Sequence, residues 1–178
     1  MEKLRVRFQM CGLELHPKKT QIIYCRDVNR KGESPVRSFT FLGYTFRPRK
    51  VKDKYGRVYV GFTPAVSREA LTAMRQTIRG WHLQLKSSND LAGLSKLFNP
   101  VLRGWMNYYC RFNPSAMAPV WNHINLYLMR WMMRKHKSFV RRTGRAIKTL
   151  ERMAASMPEK FVHWEKGYIP KGWIMGAG

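Results

Sequence analysis

Apolar side chains between Leu71 and Met132 recur at alternating intervals of three and four residues, and this spacing limits the possible fold more than any other feature. It places them along one side of an α-helix. The three successive stripes are Leu71, Met74, Ile78, Trp81 and Leu85; Leu91, Leu94, Phe98, Val101, Trp105, Tyr108 and Phe112; and Trp121, Ile124, Leu128 and Trp131 or Met132. Matching stripes with short polar breaks between them predict a helical bundle, with Trp105 and Trp131 in its core.

The expected helix boundaries follow from capping residues and proline. Ser67 is the expected N-cap of the first helix, and Asn89 or Asp90 that of the second. Pro100 is expected to bend the second helix. The third helix is expected to run from about residue 116 to residue 139.

Residues 1–62 show a different pattern. Leu4, Phe8 and Cys11 are spaced for a short amphipathic helix, which Gly12 is expected to end. Three β-type runs follow, and a turn signal with Gly56 separates the last two of them. The runs are Thr20–Cys25, Ser38–Phe46 and Arg57–Phe62.

The sequence therefore predicts an α+β fold. A short N-terminal helix and an antiparallel β-hairpin precede a mainly α-helical bundle. We expect two domains, residues 1–62 and residues 63–178.

The charge of the chain restricts its partners. It carries 34 Lys and Arg against 10 Asp and Glu, a net charge of +24, and such self-repulsion destabilises a compact state unless a polyanion neutralises it. No acidic residue occurs between Asp90 and Glu151. A nucleic-acid partner is therefore favoured over the alternative of a basic protein with no specific partner. The candidate contacts are Arg103, Arg111, Arg130, Arg134, Lys137, Arg141, Arg142, Arg145 and Lys148.

Four of these cations are expected to form one stripe on the third helix. Arg130, Arg134, Lys137 and Arg141 step by four, three and four residues, nearly opposite the apolar stripe of the same helix. The stripe is expected to continue along the next segment beyond a break at Gly144. Anionic lipid would also attract such a face, but the apolar side is already needed for the bundle. A sugar–phosphate backbone is the better fit, so no membrane partner is expected.

Cysteine usage and hydropathy indicate a cytoplasmic protein. Cys11, Cys25 and Cys110 are odd in number and widely spaced, which fits a reducing compartment and buried thiols. Cys110 and His123 have no second pair nearby, so no metal site is expected. There is no secretory leader pattern, and no apolar run reaches the ~18 residues needed to span a bilayer.

Two blocks in the first 49 residues resemble a known family. CGLELHPKKTQIIYC (Cys11–Cys25) and FTFLGYTFRPR (Phe39–Arg49) resemble the last two conserved blocks of reverse transcriptases encoded by bacterial group II introns. Residues 64–168, with LRGWMNYY at 102–109 and HWEKGY at 163–168, are similar to the maturase-specific, or X/thumb, domain of the same proteins. The resemblance covers nearly the whole chain. It implies that residues 1–62 are the end of the polymerase palm and residues 63–178 the thumb.

The resemblance also implies roles for single residues. Phe41, Leu42 and Gly43 match the primer grip, a β-hairpin that holds the primer end; Gly43 is equally compatible with ordinary sheet packing. Lys19 matches a position close to the incoming nucleotide, although a solvated surface lysine is the simpler interpretation. The bundle would grip a template–primer duplex and, in splicing, the intron RNA. Asn107, Asn122 and Tyr109 are available for such contacts.

The chain departs from the family pattern in its carboxylates. Polymerisation needs two metal ions on clustered carboxylates, and the Asp residues here are the isolated Asp27, Asp53 and Asp90. We therefore expect no catalytic residue in this chain and no polymerase activity from it alone; Mg²⁺ is expected only with a palm that carries the Asp pair.

Three functional hypotheses follow. The first is an RNA-binding C-terminal portion of a group II intron reverse transcriptase/maturase, whose partners are intron RNA and RNA/DNA template–primer duplex. The second is a subunit of a split RNA-directed DNA polymerase that docks on the remaining reverse transcriptase domains. The third is a general basic nucleic-acid-binding protein.

Overall fold

The structure, a computed structural model, describes residues 1–17, 19–30, 32 and 34–171. Helix α1 (Glu2–Met10) precedes three strands, β1 (Phe39–Phe41), β2 (Tyr44–Lys52) and β3 (Val58–Val66), which form one antiparallel sheet in the order β1-β2-β3. The helices that follow are α2 (Arg68–Gly80), α3 (Leu91–Tyr109), α4 (Ala118–Lys135), α5 (Thr143–Ser156) and the short α6 (Val162–Glu165). Short 3₁₀ turns occupy Leu83–Leu85, Pro114–Met117, Lys137–Phe139 and Pro158–Lys160. The α+β class is confirmed.

The chain divides into two compact units. The first comprises Met1–Phe39 and Arg47–Phe62, and the second comprises Thr40–Phe46 and Thr63–Gly178. The turn between β1 and β2 thus belongs to the second unit. The assignment of residues 1–62 and 63–178 to two family domains stays a prediction, and residues 172–178 lie outside the described part.

Helix α1 has the expected position and end. Gly12 adopts a left-handed backbone with φ +70°, and its N–H donates to Gln9 O at 3.0 Å. Glycine accepts this conformation without the Cβ penalty of other residues. No residue of α1 is fully buried, and among its apolar side chains only Phe8 is half-buried.

The predicted strand at Thr20–Cys25 is wrong. This segment contains no β-strand, and Tyr24 N–H makes one backbone bond, to Val36 O at 3.0 Å. Ile22 is 69% exposed. β-branched composition favours a strand only where a neighbouring strand covers it.

The run Ser38–Phe46 is two strands joined by a tight turn. Leu42 and Gly43 have φ values of +48° and +77°, as a two-residue hairpin turn requires. Opposite each other across the strands, the Thr40 and Thr45 hydroxyls lie 3.1 Å apart. The β1–β2 hairpin therefore begins the sheet.

The second hairpin has the expected turn and a longer strand than expected. Gly56 has φ +85°, and its N–H donates to Asp53 O at 3.0 Å. Strand β3 extends to Val66 rather than ending at Phe62, because it matches the nine residues of β2. Pro64 is tolerated because β3 is an edge strand.

Helices α2 to α5 enclose the core of the second unit. The N-caps are confirmed: Ser67 Oγ accepts the Ala70 N–H at 3.1 Å, and Asp90 Oδ1 accepts the Gly93 N–H at 2.7 Å. Helix α4 is central and packs against α2, α5 and the turn at Leu83–Leu85. The predicted bundle of three helices is thus incomplete, since α5 is part of it. Fully buried members of the core are Ile78, Leu83, Leu94, Leu102, Trp121, Ile124, Leu128 and Leu150.

The first two apolar stripes are correct near their starts and wrong near their ends, whereas every member of the third is buried as predicted. On α3 the buried residues shift to Leu102 and Met106, while Val101 and Tyr108 are exposed. Steps of three and four average 3.5 residues, whereas a helix turns every 3.6, so a strict stripe drifts by ~20° in each heptad. On the first stripe Leu85 is exposed because α2 ends at Gly80, and Leu83 takes the buried position.

The two tryptophans predicted to be in the core differ in burial. Trp131 is buried, and its Nε1–H donates to Lys86 O at 3.0 Å, as a buried indole requires. Trp105 is half-buried and stacks on Trp81 with ring centroids 5.7 Å apart.

Candidate nucleic-acid interface

All nine predicted nucleic-acid contacts are exposed. Within the described part of the chain, none of the nine forms an ion pair; the pairs found there are Arg5 with Glu2 and Arg57 with Asp53. Exposed cations without acidic neighbours keep their charge available for an external anion.

The stripe of Arg130, Arg134, Lys137 and Arg141 does not lie on one helix, so that prediction is wrong. Helix α4 ends at Lys135, and Lys137 belongs to the following 3₁₀ turn. Arg141 is in a left-handed conformation with φ +60°. Lys135, the last residue of α4, helps to end the helix, because its Nζ donates to Ser87 O at 3.1 Å and to Asn89 O at 2.6 Å.

The predicted break at Gly144 is also misplaced. Helix α5 already begins at Thr143, so Gly144 lies inside it, and the interruption comes earlier, at residues 136–142. Arg145, Lys148 and Arg152 are exposed on α5. The cations thus follow two helices and a connecting turn rather than one long helix.

Three of the four stripe residues nevertheless converge. Arg130, Arg134 and Arg141 line one groove of about 340 Å³. Arg130 and Arg134 lie one turn apart on α4, and the 3₁₀ turn brings Arg141 back towards them. The other lining residues are Gln84, Met133 and Val140. Lys137 does not line this groove. We call it the arginine groove.

Two arginines that the sequence did not single out extend the positive region onto α2. Burial and then the charges of Arg79, Arg75 and Arg130 lower the pKa of His123, which is therefore neutral at pH 7. The guanidinium of Arg130 also lies 5.2 Å from the Tyr127 ring centroid, within cation–π range. The spacing of four between Arg75 and Arg79 on a predicted helix was the available signal.

Arg111 lies in a different place. Together with Lys166, Asn107 and Tyr168 it lines a pocket of about 490 Å³ at the end of α3. Lys166 was not predicted, because it lies outside the acid-free span. Arg103 is exposed, and among the described residues it lines neither the arginine groove nor this pocket.

The HWEKGY segment is largely structural. Asn125 Oδ1 accepts the Trp164 Nε1–H at 2.8 Å and lies 2.9 Å from His163 Nε2, while Asn125 Nδ2 donates to Tyr168 O at 2.9 Å. His163 Nε2 must therefore carry the hydrogen. Complete burial lowers the pKa of His163 to about 3, so the ring is neutral.

The three primer-grip candidates lie at the β1–β2 turn. Phe41 and Leu42 are 60% and 67% exposed. Tyr108 Oη donates to Leu42 O at 2.9 Å, and a Cβ on Gly43 would lie 2.7 Å from Tyr109 Oη. The glycine is thus required by its positive φ and by this tyrosine.

The remaining candidate residues, Lys19, Asn107, Asn122 and Tyr109, differ in exposure. Lys19 is exposed, and its backbone N–H donates to His16 Nδ1 at 3.2 Å; its neighbour Lys18 lies outside the described residues. Asn107 is exposed, whereas Asn122 and Tyr109 are half-buried. Asn107 is therefore the most accessible of the three polar candidates.

Among the described residues, no three His, Cys, Asp or Glu side chains converge as a metal site would require. None of the helices described is both long enough and apolar enough to cross a membrane.

Residues 71–150 match the family model of the group II intron, maturase-specific domain. The match extends from α2 to the middle of α5, somewhat less than half of the chain, and includes all nine predicted contacts. No curated protein and no solved structure matches the chain. The match supports a group II intron maturase-related role in splicing.

Proposed function

We propose that this chain binds group II intron RNA and RNA/DNA template–primer duplex through phosphate contacts, as the C-terminal portion of a group II intron reverse transcriptase/maturase. The observation that carries the proposal is the match of residues 71–150 to the maturase-specific domain. The nine exposed cations inside this segment supply the contacts. Within the described residues, no carboxylate pairs with them.

The chemistry of A-form RNA explains the arrangement. Its deep major groove hides the base edges, so proteins contact phosphates and 2′-hydroxyls along the backbone. Guanidinium groups bind phosphate oxygens in pairs, and the arginine groove presents three of them, two on α4 and one in the turn that precedes α5. Each phosphate neutralised releases counterions, which provides the affinity.

In this mechanism the protein contributes binding energy and the intron RNA performs the splicing reaction. Residues on α4 and α5 hold the folded RNA, and the helical core keeps their backbone positions fixed. The exposed Phe41 and Leu42 at the β1–β2 turn would contact the primer end, and Lys19 would lie near an incoming nucleotide.

Charge reversal tests the proposal. We expect the variant Arg134→Glu, Lys137→Glu, Arg141→Glu to bind a group II intron RNA at least about tenfold more weakly than the wild-type protein at equal salt, because each lost phosphate contact weakens binding. The matched control is Lys3→Glu, Arg5→Glu, Arg7→Glu on α1, which changes the net charge equally. The measurement is filter binding, with circular dichroism to confirm folding.

The comparison of the two variants decides the outcome. An equal loss in both would mean that net charge alone drives binding, which is the hypothesis of a general basic protein. To test specificity, the affinity of the wild-type protein is also measured for a structured RNA of the same size and for a single-stranded DNA. The proposal requires the intron RNA to bind more tightly than both.

A second candidate function is a subunit of a split RNA-directed DNA polymerase. The observation that favours it is a group of exposed apolar side chains among the described residues between Met1 and Val28, where α1 has no buried residue. The exposed side chains are Leu4, Val6, Met10, Leu13, Ile22 and Val28. Such a surface is typical of a protein–protein contact, here with a catalytic palm on another chain.

Reconstitution tests this candidate. We expect nucleotide incorporation only when a chain carrying the Asp pair is added, and Leu4→Asp with Val6→Asp should abolish it. Incorporation by the present chain alone would contradict the interpretation of its carboxylates. If the chain acts only as a maturase, it will bind intron RNA normally, and no nucleotide will be incorporated with or without the added chain.

A further inference from the structure

The pocket of about 490 Å³ at the end of α3 contributes only Arg111 to the proposed function. It lies within the second unit. Its lining comes from the end of α3 and the two residues after it, from the 3₁₀ turn at Pro114–Met117 and from the segment after α6. Its volume is in the range of pockets that enclose small ligands. We call it the Tyr168 pocket.

Two sequence motifs meet at the Tyr168 pocket. LRGWMNYY, at 102–109, supplies Met106 and Asn107, and HWEKGY, at 163–168, supplies Lys166 and Tyr168. The fold brings them together because α6 packs against α3. The hydrogen bonds between HWEKGY and Asn125 involve only the backbone of Tyr168, so its ring and the Lys166 side chain, which line the pocket, are not part of them.

The aromatic wall of the pocket is held in a fixed position. Tyr168 O accepts a hydrogen bond from Asn125 Nδ2 at 2.9 Å, and Tyr168 N–H donates to His163 O at 2.9 Å. The Tyr168 ring lies against Trp121, with ring centroids 6.1 Å apart. A residue held through both of its backbone groups loses little conformational entropy when a flat ligand stacks on its ring.

The interior of the pocket is uncharged. Burial raises the pKa of the Cys110 thiol, and burial together with the neighbouring Cys110 raises the pKa of the Tyr168 phenol, so both groups are neutral at pH 7. Met106 is buried, and it lines the pocket together with Pro114. These four side chains offer van der Waals contacts and one aromatic face, which suit a flat ring system.

The other three lining residues are polar and exposed. They are Asn107, Arg111 and Lys166. The amide of Asn107 can both donate and accept hydrogen bonds, as recognition of a nucleobase edge requires. Arg111 and Lys166 supply positive charge for phosphate groups, and among the described residues neither of them forms an ion pair.

We propose that the Tyr168 pocket binds the base of one unpaired RNA nucleotide. The base stacks on Tyr168, Asn107 forms hydrogen bonds with its edge, and Arg111 and Lys166 contact the adjacent phosphates. A base inside an A-form duplex is stacked and paired, whereas the bases of loops and bulges can enter such a pocket. The inference rests on the proposed function in taking the ligand to be RNA, and it adds a site that distinguishes unpaired from paired nucleotides.

The test compares two RNA duplexes with the same number of phosphates. One is fully paired, and the other has a central internal loop of mismatched, unpaired nucleotides. The affinity of the full chain for each RNA is measured by fluorescence anisotropy at the same salt concentration. We expect the wild-type protein to bind the looped RNA at least about fivefold more tightly, because stacking of a base on an aromatic side chain contributes at least this much.

Substitutions in the pocket should change this preference. Tyr168→Leu should remove it and leave the affinity for the paired duplex unchanged, because the base loses its stacking partner. Asn107→Ala should reduce the preference, because the base edge loses a hydrogen bond. The matched pair for charge is Lys166→Gln against Lys96→Gln, since Lys96 is exposed on α3 and does not line the pocket. Lys166→Gln should lose more affinity for the looped RNA.

No preference in the wild-type protein, or an equal preference in the wild-type protein and in Tyr168→Leu, would overturn the proposal. Circular dichroism checks that each variant is folded. If Tyr168→Leu is unfolded, Asn107→Ala decides the outcome, because its side chain is exposed. A preference in Asn107→Ala as large as that of the wild-type protein would then overturn the proposal.

A free ribonucleotide is the alternative ligand of the same chemistry. Isothermal titration with a ribonucleoside monophosphate should show no saturable binding at submillimolar concentrations. Saturable binding that Tyr168→Leu abolishes, without a preference of the wild-type protein for the looped RNA, would assign the pocket to a free nucleotide. The RNA assignment would then be wrong.

The variant Arg134→Glu, Lys137→Glu, Arg141→Glu separates this inference from the proposed function. It should weaken the binding of both RNAs and keep the preference for the looped one. If it weakens binding while the wild-type protein shows no preference, only the Tyr168 pocket is wrongly assigned. If it binds as tightly as its control on α1 while a preference that depends on Tyr168 is observed, the proposed phosphate contacts fail and the pocket assignment is supported.

Discussion

Asn125 joins three parts of the second unit through one side chain. Asn125 lies in the middle of α4. Its side-chain amide forms hydrogen bonds with His163 and Trp164 on α6 and with the carbonyl of Tyr168, which follows α6. Asn125 is 1% exposed, so water does not compete for these hydrogen bonds. A buried polar network stabilises a fold only when its members are satisfied, which makes this residue sensitive to substitution.

We predict that Asn125→Ala lowers the free energy of unfolding by about 3 kcal/mol. The substitution leaves the N–H donors of His163 and Trp164 buried without acceptors, and each such loss costs ~1–3 kcal/mol. Urea unfolding monitored by tryptophan fluorescence measures the change. Asn122→Ala, three residues earlier on the same helix, is the control and should cost less than about 0.5 kcal/mol. Similar losses in the two variants would contradict this role.

The neutral His163 predicts acid sensitivity. In the folded protein its pKa is about 3, against 6.5 for the unfolded chain, so between these pH values the unfolded state binds more protons. Stability therefore falls as the pH decreases from 6.5, by ~1.4 kcal/mol per pH unit. Between pH 7 and pH 4.5 we expect a loss of about 3 kcal/mol from this residue.

His163→Gln should remove most of that pH dependence, because the amide keeps a donor for Asn125 and cannot be protonated. The measurement is the urea midpoint at pH 7 and pH 4.5. His82→Gln, at an exposed histidine, should retain the wild-type pH dependence. An unchanged slope in His163→Gln would show that other groups cause the acid sensitivity.

At the scale of elements, the β1–β2 turn is the most sharply specified feature. Gly43 combines a positive φ with the close approach of Tyr109. We predict that Gly43→Ala destabilises the protein by about 1–2 kcal/mol, from the left-handed backbone alone, with more if Tyr109 must move. In contrast, Gly104→Ala inside α3, where a Cβ meets no atom within 4 Å, should stabilise by about 0.5–1 kcal/mol. Thermal unfolding of both variants checks the difference in sign.

Arg141 allows stability and binding to be separated. Its φ of +60° is costly for a residue with a Cβ, so Arg141→Gly should be more stable than Arg141→Ala by about 1 kcal/mol. Both variants lose the same guanidinium group from the arginine groove. We expect them to bind RNA equally weakly, whereas a difference in affinity would mean that backbone geometry, not charge, governs binding there.

The sequence predicted the elements where local signals decide them. Ser67, Asp90, Gly12 and Gly56 mark caps and turns through their own side chains or lack of one. The end of α4 could not be predicted, because it involves Lys135 bonding to carbonyls 46 and 48 residues away along the chain. The absence of a strand at Thr20–Cys25 likewise depends on which segments lie beside it.

At the scale of the molecule, the exposed positions of the cations were predictable and their grouping was not. An acid-free span of 60 residues requires positive surface, since unpaired charges are rarely buried. The convergence of Arg130, Arg134 and Arg141 depends on a turn that the helical wheel did not include.

The central claim is that the face formed by the end of α4, by the 3₁₀ turn after it and by α5 contacts RNA phosphates. Lysine-selective labelling followed by mass spectrometry, with and without a group II intron RNA, tests it most directly. We expect the labelling of Lys137 and Lys148 to fall severalfold in the complex, while that of Lys3 on α1 stays unchanged. Unchanged labelling of Lys137 and Lys148 in a saturated complex would contradict it.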